Sequence, residues 1–381
     1  MNSSDNPHHI FLIAGEASGD LHGAHLVKAL KARCNTIVFS GIGGSAMQEA
    51  GVDIVVDAST LSVVGITEVF SRLPDILDGM AVAKSFLKTK HPDLLILIDF
   101  PDFNLRMAAF AKKWKIPVLY YISPQIWAWR SGRVTKIGRL VDHIAVILPF
   151  EASFYRKHHI PVTFVGHPLL DAFRGPLPAL PLGNSPPVIG LLPGSRESEI
   201  FRHLPVMLEA AGILSKQMDI RFVLSVAPGA PKAAIHAISS PFQSQFALEI
   251  DTQGARSVFS RTHLVVAASG TVTLEAAIAG TPIIIIYKVS PLSYRLGKAL
   301  IKVKNIGLVN LIAERQIVPE LIQDRANPES IAETVRSLLE NPAALDAMRD
   351  AFGNVRYRLG GPGASARVAD IAMKMMKQET P

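Results

Sequence analysis

"GPLPALPLGNSPPVIGLLPGSRESEI", residues 175–200, decides how the rest of the chain is read. Its first half, 175–187, is rich in proline and glycine, has no hydrophobic period and reads as a linker. Its second half starts afresh. The apolar run Val188–Leu192 predicts a strand, Gly194 a tight turn, and a helix follows from near Glu199. Upstream of the linker the same unit recurs. Strands are predicted at Ile10–Ala14, Thr36–Ser40, Asp53–Val56, Leu94–Ile98, Val118–Ile122, His143–Leu148 and Val162–Val165, with helical stretches such as Leu21–Arg33 and Phe103–Lys113 between them. Downstream, strands are predicted at Val188–Leu192, Arg221–Val226, Phe246–Ile250, His263–Ala267 and Pro282–Tyr287. Most are continuous apolar runs, as strands covered on both faces should be. Alternation of this kind predicts parallel α/β sheets.

The expected organisation is two doubly wound domains, 1–174 and 188–350, joined by the linker 175–187. Residues 351–381 are expected to form C-terminal helices that pack back on the first domain or on a partner subunit. With 381 residues, 49% apolar and 19% charged, the chain can fill two cores and is not a disordered one. The single cysteine, Cys34, excludes an internal disulfide and a cysteine-built zinc site. The net charge of +7 suits anionic partners. No basic run interleaved with aromatics is present, which argues against nucleic acid. "MNSSDNPHH" lacks the basic and apolar regions of a signal peptide. Residues 264–287 are apolar enough to imitate a membrane span, but Glu275, Gly270, Gly280 and Pro282 interrupt them. They read as strand, turn, helix, turn, strand.

In open parallel sheets, ligands sit beyond the carboxyl ends of the strands. Two such domains facing each other would form a cleft there. In "GLLPGSRESEI", 190–200, Gly194 and Ser195 offer a turn with backbone donors, and Arg196 a guanidinium suited to phosphate oxygens. In "ASGTVTLEAAIAGTP", 268–282, Ser269, Gly270 and Thr271 can do the same at a second helix start. Glu275 lies one turn further on, where a sugar or ribose diol could meet it, or where it could be a buried ion-pair residue. Asp99, ending the strand in "LLILIDFPDFN", is the candidate general base, with Asp102 read as the cap of the next helix.

Trp127, Trp129, Arg130 and Arg133 in "SPQIWAWRSGR" suit a sugar, an acyl chain or a phosphate, or else simple core packing. "GEASGD" brings Ser18, Gly19 and Asp20 to the end of the first strand, where two acids argue against a phosphate cradle. Asp20 would cap the following helix or orient a sugar hydroxyl. The stripe Val63, Val64, Ile66, Val69 and Phe70 within residues 61–77 is either a buried crossover helix or an exposed edge that dips into a membrane. "FSGIGGSAM" is too short for a dinucleotide fingerprint, so NAD is not expected. No histidine cluster suggests a metal, and no cofactor is expected.

Taken in order, "AGEASGD", "DFPDFN", "SPQIWAWR", "LPFE", "FVGHPL", "LLPGSRESE", "ASGTVTLEAA" and "VNLIAERQIVPELIQ" resemble the lipid-A-disaccharide synthase family over residues 10–323. The resemblance implies the GT-B architecture of two Rossmann-like domains across a cleft, and metal-independent, inverting transfer. It implies UDP-2,3-diacylglucosamine as donor and 2,3-diacylglucosamine 1-phosphate (lipid X) as acceptor. The products would be a β-1,6-linked disaccharide 1-phosphate and UDP, in lipid A biosynthesis of Gram-negative bacteria. It further implies a peripheral protein on the cytoplasmic face of the inner membrane. By the same resemblance Asp99 matches the essential acid, Arg196 the arginine of the UDP site, and Glu275 and Asn310 further donor-site positions. Ser18 and Asp20 fall in the first-domain cleft loop. A homodimer is a further possibility. The alternatives are another UDP-sugar enzyme of the same fold (a UDP-N-acetylglucosamine 2-epimerase or a lipid-intermediate hexosaminyltransferase) and a non-catalytic nucleotide or lipid binder.

Overall fold

The computed structural model describes residues 7–61, 73–129, 131–173, 175–180, 182–183, 185–227, 229–290, 294 and 305–377. It divides into two compact units. One comprises the chain up to Asp171 together with the chain from Gly360 onward, and the other is Ala172–Leu359.

The first unit is built on a seven-stranded, wholly parallel sheet. Its strands are β1 (His9–Ala14), β2 (Val38–Gly43), β3 (Asp53–Asp57), β4 (Leu94–Ile98), β5 (Val118–Tyr121), β6 (His143–Val146) and β7 (Val162–Phe164). The spatial order is β3-β2-β1-β4-β5-β6-β7, so the direction of winding reverses between β1 and β4. Alternate residues feed two cores. Phe11, Ile13, Leu95, Leu97, Tyr120 and Ile144 face one side, and Ile10, Leu12, Leu94, Ile96, Leu119 and Tyr121 the other. This is why these strands read as unbroken apolar runs.

The second unit holds a six-stranded parallel sheet of β8 (Val188–Leu192), β9 (Arg221–Ser225), β10 (Leu248–Asp251), β11 (Leu264–Ala268), β12 (Ile283–Tyr287) and β13 (Glu320–Ile322), in the order β10-β9-β8-β11-β12-β13. Residues 264–287 form β11, the helix Val272–Ala279 and β12. Among the described residues no helix is long and apolar enough to cross a membrane. β13 is the strand that sequence reasoning missed, because three residues show no period.

Two boundaries move. The proline-rich stretch from 175 lies within the second unit: the Leu177 N–H donates to the Ala279 carbonyl at 2.7 Å, and Leu182 packs against the core. The helix Pro342–Arg358 also stays in the second unit, so the chain crosses back after Leu359 rather than near residue 350. The final helix, Ala364–Lys377, then packs on the helix Ala17–Lys31 of the first unit, with Val368, Ala369, Ala372 and Met376 joining its core. Arg367 fixes its start by donating to the Val165, Gly361 and Pro362 carbonyls, and Arg33 pairs with Asp370 at 2.7 Å.

Candidate active site

Asp99 follows β4 directly, next to the reversal point of the first sheet. Asp99 and Phe100 both have left-handed backbones, with φ of 48° and 49°. Such conformations cost about 1–3 kcal/mol each for non-glycine residues and persist only where neighbours enforce them. The enforcement is visible. The Asp99 carbonyl accepts from Asn104 Nδ2 at 2.6 Å and from the Tyr120 hydroxyl at 2.9 Å. The Phe100 ring stacks on Phe103 at 5.0 Å and lies over Gly15, where a Cβ would come within 2.2 Å of the ring. Gly15 thus serves this close approach. Burial pushes the Asp99 carboxyl up to about 6, the Glu16 charge adds to the rise, and the Phe100 N–H opposes it. A carboxylate so placed holds its proton until close to neutral pH, the property a general base at that pH needs.

Asp102 is not the cap of its helix. The helix is Pro101–Lys113, its N-cap is Phe100, and exposed Asp102 pairs with Arg133 at 2.8 Å. The helix after β1 also starts earlier than expected, at Ala17, so Ser18, Gly19 and Asp20 all lie within it. Ser18 is exposed, while Gly19 is buried with its Cα side 3.4 Å from Ala14 Cβ once a Cβ is built on it. Asp20 departs from both of its expected roles. Its buried carboxylate accepts from the N–H groups of Gly44 (2.7 Å), Ala46 (3.0 Å) and Met47 (3.1 Å), capping the helix Ser45–Glu49. A Cβ at Gly44 would lie 2.9 Å from that carboxylate, which explains the last glycine of "GIGG".

The Trp127 indole N–H donates to Glu151 Oε1 at 3.0 Å, and its ring meets Phe150 edge-on at 4.7 Å. Glu151 also accepts from the Leu148 N–H and is pushed up to about 7 by burial. The polar end of Trp127 therefore serves internal structure. Arg130 and the stripe Val63, Val64, Ile66, Val69 and Phe70 lie outside the described residues.

In the second unit, Gly194 has φ of 113°, a conformation that favours glycine. Arg196 is the N-cap of the helix Glu197–Ser215, and its guanidinium is more than half exposed. The turn closes on Glu199: its Oε2 accepts from the Ser195 and Arg196 N–H groups at 3.2 and 3.3 Å, and Oε1 meets the Arg196 guanidinium at 3.3 Å. An internal carboxylate thus occupies the donors of this turn. His203, which sequence reasoning passed over, ties this turn to the end of β12. It is buried, its Nδ1 donates to the Pro193 carbonyl at 3.0 Å, and Nε2 accepts from the Lys288 N–H at 3.0 Å. Burial lowers its pKa, so the ring is neutral. A lone histidine seven residues into a helix carries no sequence signal for this.

Ser269 ends β11, where its N–H bonds the Ile286 carbonyl, and exposed Gly270 and Thr271 precede the helix Val272–Ala279. Glu275 is half-buried, and burial raises its pKa. Among the described residues its carboxylate has no partner. Asn310 departs from expectation. It is fully buried and its amide is saturated: Nδ2 donates to Val318 O (3.0 Å) and Glu320 Oε1 (2.7 Å), and Oδ1 accepts from the Ile317 and Val318 N–H groups. Its side chain holds β13 through Glu320 and the backbone just before it.

Two parallel, doubly wound units, with a poised acid after a strand in one and glycine turns at helix starts in the other, define the GT-B glycosyltransferase class. The fold is similar to that of the calicheamicin glycosyltransferase CalG4 (TM-score 0.62, 15% identity, 99% of this chain and 100% of that one). It is also similar to UDP-GlcNAc 2-epimerase from Neisseria meningitidis bound to UDP-GlcNAc (TM-score 0.65, 14% identity, 96% and 100% covered). At such identities the likeness concerns the fold alone. Sequence is more specific. The chain belongs to the lipid-A-disaccharide synthetase family, whose model matches residues 10–360. The lipid-A-disaccharide synthase of Geobacter metallireducens is 46% identical over 376 residues, covering 96% of this chain and 97% of that protein. That of Coxiella burnetii (strain Dugway) is 41% identical over 377 residues, covering 96% and 98%. The chain is a glycosyltransferase of lipid A disaccharide synthesis.

Proposed function

We propose that the chain transfers 2,3-diacylglucosamine from its UDP ester to the 6-hydroxyl of 2,3-diacylglucosamine 1-phosphate with inversion. The observation that carries this reading is Asp99, held after β4 in an enforced backbone and poised near neutrality. Asp99 takes the proton of the attacking hydroxyl as its oxygen bonds to the donor's anomeric carbon. The bond from that carbon to the β-phosphate oxygen breaks, and UDP leaves with the electron pair. One in-line displacement inverts the centre, so one base suffices and no covalent intermediate is needed.

Arg196, the N–H groups around Gly194 and of Gly270 and Thr271, and the Ser269 hydroxyl meet the diphosphate charge as it grows. The diphosphate replaces Glu199 as the acceptor of the Ser195 and Arg196 donors. Glu275, partnerless among the described residues, accepts from donor hydroxyls. We further propose peripheral attachment to the cytoplasmic face of the inner membrane through residues 61–77, aided by the net charge of +7.

UDP release tests the reading. Release with the diacylated donor and acceptor together, and not with UDP-N-acetylglucosamine alone, is expected. Epimerised UDP-N-acetylglucosamine, or no UDP from any acylated pair, would refute it. Attachment is tested by sedimentation with anionic vesicles, where binding should fall in high salt.

A further inference from the structure

The "DFPDFN" turn ends in Asn104, to which neither its sequence nor the proposed reaction assigns a task. Asn104 is fully buried in the first turn-and-a-half of the helix Pro101–Lys113. Its side-chain amide reaches back along the chain, donating to the Asp99 carbonyl at 2.6 Å and to the Ile98 carbonyl at 3.3 Å. From β5 the Tyr120 hydroxyl donates to the same Asp99 carbonyl at 2.9 Å. Two donors from different elements therefore converge on one carbonyl oxygen, in the middle of two left-handed residues.

The orientation of the amide is forced. Turned over, Asn104 Oδ1 would face two carbonyl oxygens. As placed, Oδ1 is buried with no partner among the described residues. Burying an acceptor unsatisfied is unfavourable, and an apolar residue would avoid it. An amide kept here, with only its donor side in use, is placed for what that donor holds.

We propose that Asn104 is a positioning residue, which together with the Tyr120 hydroxyl clamps the Asp99 backbone and so fixes the direction of its carboxylate; this rests on the reading of Asp99 as the base. The clamp acts through geometry. Releasing the carbonyl lets the turn relax toward an ordinary right-handed or extended conformation, which swings the Cα–Cβ bond of Asp99 away. The charged or titratable groups around the turn are Glu16 after β1, Tyr120 on β5 and, further off, Asp102 with its partner Arg133. None of them is removed by changing Asn104.

The test compares Asn104→Ala and Tyr120→Phe with the parent and with Asp99→Asn. The readouts are kcat, KM, UDP affinity by calorimetry and the pH profile of kcat/KM. Misplacement of a reacting group by an ångström costs about 10²-fold, so Asn104→Ala should lose roughly that factor in kcat. UDP affinity should stay put. The acid limb should move to lower pH, because a relaxed turn returns water to the carboxylate and removes the burial that raises it. Tyr120→Phe, which deletes one hydroxyl and keeps the ring, should shift both readouts the same way by less. If kcat per folded molecule and the acid limb are unchanged in both variants while Asp99→Asn is inactive, the clamp is refuted alone. If Asp99→Asn transfers sugar within about tenfold of the parent, the assignment of the base itself falls.

Discussion

Asp99→Asn should make the protein inactive and, near neutral pH, more stable. The carboxyl is mostly shielded from solvent and its pKa rises from 3.8 to about 6, chiefly by burial. A raised acid is a group whose charged form the fold disfavours. Below pH 3.8 it is neutral in both folded and unfolded chains, and the fold bears no penalty. Between 3.8 and about 6 the unfolded chain ionises first, and stability is progressively lost. Above about 6 the penalty is complete. Roughly two pKa units at about 1.4 kcal/mol each amount to ~3 kcal/mol. Asparagine has the same shape and no charge, so it should recover up to that amount at pH 7.5 and nothing below pH 4. For a unit of this size, ~3 kcal/mol corresponds to several degrees in Tm. The assay is denaturant unfolding of parent and variant at both pH values. A variant no more stable than the parent at pH 7.5, or a gain of equal size at pH 4, would refute the claim that burial raises this acid.

Three further outcomes follow from the geometry. Asn310→Ala removes four buried hydrogen bonds and strips a partner from buried Glu320, so it should destabilise the second unit by about 3 kcal/mol, read by denaturant unfolding. Arg196→Ala should weaken UDP binding by roughly 10- to 100-fold in calorimetry, the worth of a charge-assisted contact to phosphate, with stability near that of the parent because the side chain is largely exposed. Gly15→Ala drives a methyl into the Phe100 ring, so it should cost about 1–3 kcal/mol in stability and lower kcat through the displaced Asp99–Phe100 turn.

The strands of both sheets other than β13 were legible because covered parallel strands are largely apolar runs, and because the stretch 175–187 separates the two series. Asp99 stands out in the sequence because it directly follows such a run, and Arg196 because it closes the turn after one. What escaped has physical reasons. Asp20 and Asn310 are polar side chains whose partners are backbone N–H and C=O groups brought near by folding, and backbone groups leave no mark in a sequence. Gly15 and Gly44 lie in short glycine stretches visible in the sequence, but what they make room for, the Phe100 ring and the Asp20 carboxylate, is distant along the chain. The end of the second unit at Leu359 was hidden because the helix Pro342–Arg358 is amphipathic whichever unit it joins.

The account's central claim is that one carboxylate, Asp99, takes the proton of the attacking hydroxyl while the donor is held independently by the second unit. Single-turnover transfer from UDP-2,3-diacylglucosamine, measured across pH 5 to 8 in parent and Asp99→Asn with UDP affinity determined alongside, tests it directly. The parent rate should fall tenfold per pH unit below about 6, and the variant should lose at least ~10³-fold at every pH while binding UDP as the parent does. A variant that transfers sugar within tenfold of the parent, or one that is inactive because UDP no longer binds, would contradict it.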